Sequence, residues 1–404
     1  PFRALRAAES VTRRWRDILA KPGDQHDAAR FASGVAGAAA PRASRDQSAR
    51  QTQDESREYV PPPAYGALDL GTNNCRLLVA RPSRRGFLVV DAFSRIIRLG
   101  EGVASTGRLS EAAMARTIDA LRVCSGKLQR AQVARSRLVA TEACRIAANG
   151  EEFLDRVHAE TGLDIEILSR EAEARLAVSG CAALLDARSE LALVFDIGGG
   201  STELVWLDLT TRAGDRPRSV LERVEAQNAI AAWTSLPLGV VTLAERFGGR
   251  HVTRDEFEAM VAFVREHLEP FEREHGFRDR IRNRRAHLLG TSGTVTTVAG
   301  IHLGLRRYDR SRVDGCWMRT SDARAVTSRL VDSSYEQRVA EPCIGRERAD
   351  LVLAGCAILE AIALTWPCES MRVADRGLRE GILASLMAED GVYRGSRRRH
   401  GSAE

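Results

Sequence analysis

At 404 residues, 44% of them apolar, the chain is long enough for one very large domain or two ordinary ones, each with a substantial core. No run reaches about eighteen uncharged apolar residues, so a membrane-spanning helix is not expected. The net charge of +6 sits at the ends: residues 1–63 carry eleven Lys or Arg against eight Asp or Glu, residues 391–404 carry four Arg against one Glu, and the stretch between is neutral. The basic balance is therefore no argument for a nucleic-acid-binding core.

From the N-terminus, residues 1–63 open with an amphipathic stretch, Phe2 to Leu19, and run through Ala/Gly-rich and Ser/Gln/Arg-rich segments to Pro61-Pro62-Pro63. Polar low complexity cannot offset the entropy of ordering, and Arg13-Arg14 has no apolar core behind it as a signal peptide requires. The expectation is a disordered basic leader, with an arm for a partner or a membrane as the alternative. A first lobe over 64–170 reads as strands near 64–70, 75–81 and 86–93, then a helix over Leu109–Ala131 whose Leu109, Ala113, Ile118, Leu121 and Leu128 recur at helical spacing. A short strand at Arg137–Ala140, a loop and helix over Thr141–Val157 and a strand at Asp164–Ser169 complete it. A second lobe over 171–378 begins with a helix to Leu185 and a hairpin over Leu191–Leu207. An Arg-rich surface insertion follows at 211–228. Next come strand then helix over Leu236–Phe247, a helix over Arg254–Glu274, a strand at Ala286–Leu289, helices over Ser321–Asp332 and Arg348–Leu364, and a strand at Arg372–Ala374. A last helix, Arg379–Met387, precedes a disordered tail over 391–404. Alternating strands and helices argue α/β.

The chain is organised around Asp196-Ile-Gly-Gly-Gly-Ser-Thr-Glu203, set behind the apolar Leu191–Phe195. Glycines let the backbone turn sharply and offer several N–H groups to one anion. Two carboxylates beside such a nest call for a divalent metal between them, so the local reading is phosphate plus Mg2+, with Mn2+ equally compatible. Taken alone, the octapeptide also fits a glycine-rich hairpin with a solvated acid on each side. The pattern occurs earlier as Asp69-Leu-Gly-Thr-Asn-Asn-Cys-Arg-Leu-Leu78, which suggests two similar lobes facing across a cleft. A third cluster, Gly290-Thr-Ser-Gly-Thr294, lies between the apolar Leu288-Leu289 and Val295–Leu305 and reads as strand, polar turn, helix start. The eight cysteines show no C-x-x-C spacing and read as reduced core residues of a cytoplasmic protein. Lys21 and Lys127 are the only lysines and no G-K-[ST] exists, which excludes a Walker-type loop.

Asp69–Asn73, Asp196–Glu203 and Gly290–Thr294 resemble the two phosphate motifs and the adenosine motif of the actin, hexokinase and heat-shock chaperone superfamily. Within it, Ala140-Thr-Glu-Ala-Cys-Arg145, Ser169-Arg-Glu-Ala-Glu-Ala-Arg175, Arg348-Ala-Asp350 and Asp375-Arg-Gly-Leu-Arg-Glu-Gly381 resemble the exopolyphosphatase and guanosine pentaphosphate phosphatase family. The resemblance runs from about Ala64 to Asp390 and implies two ribonuclease H-like (actin-like ATPase) lobes with a cleft between them, the last helix (379–390) returning to the first lobe. It places the catalytic glutamate at Glu173 and arginines at Arg145 and Arg348, where phosphate binding competes with plain surface charge. Asn74 stands where relatives commonly carry Ser, so altered affinity with retained chemistry is expected.

Phosphoanhydride hydrolysis needs the transferring group's charge neutralised and a water aimed and activated. Asp69, Asp196 and Glu203 are the expected metal-side carboxylates. Backbone N–H groups at Gly71, Thr72, Asn73, Gly199, Gly200, Ser201, Gly293 and Thr294 would hold phosphate oxygens. Glu173 would take the water's proton, with Glu171 as its competitor. Three readings follow: release of orthophosphate from polyphosphate ends; the same chemistry on guanosine pentaphosphate, which belongs to the stringent response; or a non-catalytic binder of these nucleotides or a kinase. The chain stops after two lobes, so short polyphosphate is the expected preference; dimerisation is common among relatives.

Overall fold

Each glycine turn joins a pair of antiparallel strands, and each pair seeds a sheet. The computed structural model describes residues 61–83, 86–186, 188–210 and 229–392. The expected insertion over 211–228 lies outside the described residues, as do the leader but for Pro61–Pro63 and the tail but for Gly391–Val392. In the first sheet β1 (Ala64–Leu70) pairs antiparallel with β2 (Asn74–Ser83), which pairs with β3 (Gly86–Ile96). On the other side of β1 run β4 (Val133–Ala140) and β5 (Glu166–Ile167), both parallel, giving the order β3-β2-β1-β4-β5. The second sheet repeats the plan. β6 (Leu191–Ile197), β7 (Thr202–Asp208) and β8 (Ile230–Leu236) are antiparallel, and β9 (Ala286–Thr291) lies parallel to β6. With β10 (Trp317–Arg319) and β11 (Ser370–Ala374) the order is β10-β11-β9-β6-β7-β8. Two sheets of this plan are the α/β arrangement expected of two ribonuclease H-like lobes.

The helices that bear on the site are α1 (Glu111–Arg130), α2 (Glu142–Ile146), α3 (Arg170–Cys181), α4 (Val240–Phe247), α5 (Arg254–His275), α6 (Gly293–His302), α7 (Val352–Thr365) and α8 (Leu378–Glu389). Ser110 starts α1 as its sequence suggests, its hydroxyl accepting from the Ala113 N–H. The apolar run of β6 is buried on both faces: Leu191, Leu193 and Phe195 share a core with α5 and α7, while Ala192 and Val194 pack with Ala174 and Val178 of α3. Ile382, Leu383, Leu386 and Met387 of α8 pack on Tyr65, Ala67, Leu78 and Val139, so the last helix covers the first sheet. It also crosses α3 backbone to backbone. A Cβ on Gly381 or Gly180 would overlap a carbonyl oxygen, of Leu176 or Gly377 respectively.

Among the boundaries that differ from expectation, three bear on the site. The strand expected over 164–169 shortens to Glu166–Ile167, because the Ser169 hydroxyl accepts from the Ala172 N–H and starts α3 instead. Leu236 ends a strand rather than beginning one; Ala232 and Leu236 share the buried face of β8. The helix expected from Arg348 begins only at Val352, leaving Arg348 in a turn.

Candidate active site

Strand register brings the acids together. Asp69 lies opposite Arg76 across the β1–β2 hairpin, and Asp196 lies opposite Glu203 across β6–β7. Residues paired across an antiparallel ladder project from the same face, so each hairpin presents two charged side chains side by side. Both turns are closed by the same bond, Gly71 N–H to the Asn74 carbonyl and Gly198 N–H to the Ser201 carbonyl, each 2.9 Å. The Gly71 N–H is therefore used within its own turn, which removes it from the expected phosphate donors. The turns abut: a Cβ on Gly199 would come within 2.9 Å of Thr72 Cβ and 3.0 Å of the Asn73 nitrogen. Glycine at 199 is what allows that approach.

Between the sheets lies a cavity of about 130 Å3. Asp69, Gly71, Thr72, Asn73, Glu173, Asp196, Gly199, Gly200, Ser201, Glu203, Gly293, Thr294 and Arg348 all line it, joined by Arg76, Asn74 and Ser292. Of the sequence-derived site residues, Arg145 alone is absent from the wall: its Nη2 donates to Glu173 Oε2 at 2.9 Å and its Nε to Glu142 Oε2 at 3.0 Å. Glu171 is exposed and paired with Arg175, so it does not compete with Glu173.

The walls differ in sign. On one, Glu173, Asp196 and Glu203 crowd together, with Asp69 at its edge beside Arg76. Burial raises Glu173 well above the usual carboxylate range, with repulsion from Glu203 adding to it and the Arg145 guanidinium opposing. Burial and the neighbouring Asp196 push Glu203 up to about 7, against hydroxyl bonds from Ser201 and Ser235, the latter 2.8 Å long. Asp196 rises to about 6, through burial and Asp69, with Arg76 opposing. Asp69 is also raised by burial, against Arg76 and Arg379. On the other wall, a Cβ built on Gly293 would stand 3.8 Å from Arg348 Nη1 and 4.0 Å from Arg76 Nη2. Two guanidiniums thus converge over the start of α6, whose first N–H groups have no acceptor within the helix. Arg348 is desolvated by burial and repelled by Arg76, a repulsion that an anion between them relieves. Ser292, ahead of the helix, holds a φ of 108°, a strained value for a residue with a Cβ. Asn73 Oδ1, Asn74 Oδ1 and Ser292 Oγ are buried without a hydrogen-bond partner among the described residues.

The donor set fits a hard divalent cation: Asp69, Asp196 and Glu203 offer carboxylate oxygens whose crowding a cation would relieve. Among the described residues no three His, Cys, Asp or Glu side chains form a ready-made metal cage. An ion there would be held by one or two of these carboxylates and completed by water and phosphate oxygens, as is usual for Mg2+.

Arg76 was missed in the sequence although its signal was there: in the alignment of the two repeats it occupies the position of Glu203. A model of the Ppx/GppA phosphatase family matches residues 78–390. The chain belongs to the Ppx/GppA phosphatase family. Among solved structures, a Ppx/GppA family member from Aquifex aeolicus is 28% identical, covers 81% of this chain and 98% of its own, and superposes with a TM-score of 0.64. A protein described as exopolyphosphatase-like, also 28% identical, covers 80% of this chain and 97% of its own with a TM-score of 0.69. The fold is shared as well by an exopolyphosphatase from Cytophaga hutchinsonii, 24% identical, covering 81% and 98% with a TM-score of 0.69. This Ppx/GppA protein is a phosphatase. Among its described residues no helix is long and apolar enough to cross a membrane.

Proposed function

We propose that this phosphatase is an exopolyphosphatase, releasing orthophosphate from the end of inorganic polyphosphate. The observation that carries the reading is one cavity lined both by a carboxylate, Glu173, and by two guanidiniums that converge on a helix start. Guanidiniums and helix N–H groups take phosphate oxygens, so the terminal phosphoryl group belongs at Gly293, Thr294, Arg76 and Arg348. The resemblance to a protein described as exopolyphosphatase-like supports the choice of polyphosphate.

In the proposed reaction Glu173 takes a proton from the attacking water as its oxygen bonds to the terminal phosphorus. The bridging P–O bond breaks, the electron pair leaves on the shortened chain, and orthophosphate is released. Mg2+, or Mn2+ in its place, held by one or two of the carboxylates Asp69, Asp196 and Glu203, would supply neutralisation of charge on the transferring group. Asp69 and Asp196 hold that side of the cavity, and Ser201 and Ser235 keep Glu203 oriented through their hydroxyls.

The test is phosphate release with Mg2+ from polyphosphates of graded length and, in parallel, from guanosine pentaphosphate. Release from polyphosphate is the expected result. Release from the pentaphosphate alone replaces the substrate, and release from neither leaves a non-catalytic binder of such nucleotides.

A further inference from the structure

Behind Glu173 runs a closed chain of four charges. Arg145, on α2, has an acceptor on every nitrogen: Nε donates to Glu142 Oε2 at 3.0 Å, Nη2 to Glu173 Oε2 at 2.9 Å, and Nη1 to the Leu168 carbonyl. Glu142 is 2% exposed and also holds Arg170, whose Nη2 donates to Oε1 at 2.6 Å and Nε to Oε2 at 3.2 Å. Arg170 opens α3, the helix that carries Glu173, so the chain returns to its starting element. Glu142 also backs the second glycine turn, its Cγ 3.2 Å from where a Cβ on Gly200 would stand.

Two guanidiniums and two carboxylates make the group formally neutral, and its central members are shielded from water. A phosphate oxygen would have to displace a carboxylate to reach Arg145, and a buried carboxylate deprived of its partner is costly. The bond to Arg145 occupies one oxygen of Glu173. The other, Oε1, has no hydrogen-bond partner among the described residues, and the side chain lies on the cavity wall.

We propose that Arg145, held in place by Glu142, is the positioning residue for Glu173 and does not bind phosphate. It fixes Oε2 so that Oε1 is the oxygen presented to the attacking water. The inference rests on Glu173 being the base and adds the group that aims it. Misplacing a base lowers turnover while leaving the anion cradle intact, whereas losing a phosphate ligand weakens substrate binding.

The experiment is steady-state hydrolysis of tripolyphosphate with Mg2+ by the parent, Arg145→Gln, Arg145→Lys, Glu142→Gln and Arg348→Gln, each checked for its melting temperature. Arg145→Gln and Glu142→Gln should lower kcat by about tenfold or more with KM within about threefold of the parent. Arg145→Lys, which keeps the charge without the planar fork, should recover part of that loss. Arg348→Gln should instead raise KM by about tenfold or more. If the Gln variants fail to fold, Arg145→Lys decides: reduced kcat at parental KM supports positioning, and a raised KM at parental kcat overturns it. Either Gln variant showing that second pattern overturns it too. A Glu173→Gln enzyme as active as the parent would instead sink the assignment of the base.

Discussion

The two hairpins are built alike and charged differently. Each begins with an Asp at the end of a strand, turns through a loop closed by one 2.9 Å bond, and returns with a charged residue opposite that Asp. In the first hairpin the opposing residue is Arg76; in the second it is Glu203. One inversion of sign at matched positions makes the halves complementary, since Arg76 joins Arg348 at the start of α6 while Glu203 joins Asp196 and Glu173. The segments after the parallel strands diverge as well. Behind β9 the chain opens α6 with glycine and free N–H groups, whereas behind β4 it places Glu142 and Arg145, which bind each other, with Arg145 also donating to Glu173. The two hairpins share one frame, and a few polar differences at matched positions set the cation side apart from the acid side.

The comparison can be broken at matched positions. Glu203→Gln removes one charge from the acid wall and should lower kcat by about a hundredfold, with a weakened response to Mg2+ titration. Arg76→Gln, at the equivalent place in the other hairpin, should mainly raise KM for tripolyphosphate, by about tenfold. If the two variants gave the same kinetic signature, the division into two walls would be wrong. Gly293→Ala puts a Cβ into the cradle, 3.8 Å from Arg348 Nη1, and should raise KM several-fold by about the loss of one good anion contact.

The smallest expected effect is on stability. Asp196 and Glu203 have folded-state values raised to about 6 and about 7, so their contribution is present at low pH and is lost as pH rises through those values. His287, pushed down to about 4 by burial, has the opposite sign, but its loss is confined below its ordinary 6.5. Between pH 6.5 and 8 the metal-free protein should therefore lose about a few degrees of melting temperature. Glu203→Gln should flatten that slope, as should saturating Mg2+.

Much of this was legible in the sequence because glycine turns behind apolar strands constrain the backbone locally. Asp69, Asp196 and Glu203 could be assigned to one site from that pattern alone, and the alternation of elements gave the α/β class. Arg76 was visible only as a mismatch between the repeats, and its meaning depended on hairpin register. Arg145 shows the limit more sharply. Its position in a motif suggested phosphate, but which acceptor a guanidinium reaches depends on Glu142 and Glu173, 28 residues farther along, meeting it in space. The turn that frees Arg348 likewise follows from where α7 begins, which a continuous apolar run does not mark.

The central claim is that the walls act separately, one holding the polyanion and the other activating water. It is tested most directly by measuring tripolyphosphate binding and turnover together in Glu173→Gln with Mg2+. The account predicts binding within about threefold of the parent and turnover lower by about a thousandfold. Parental turnover, or lost binding in a folded variant, would contradict it.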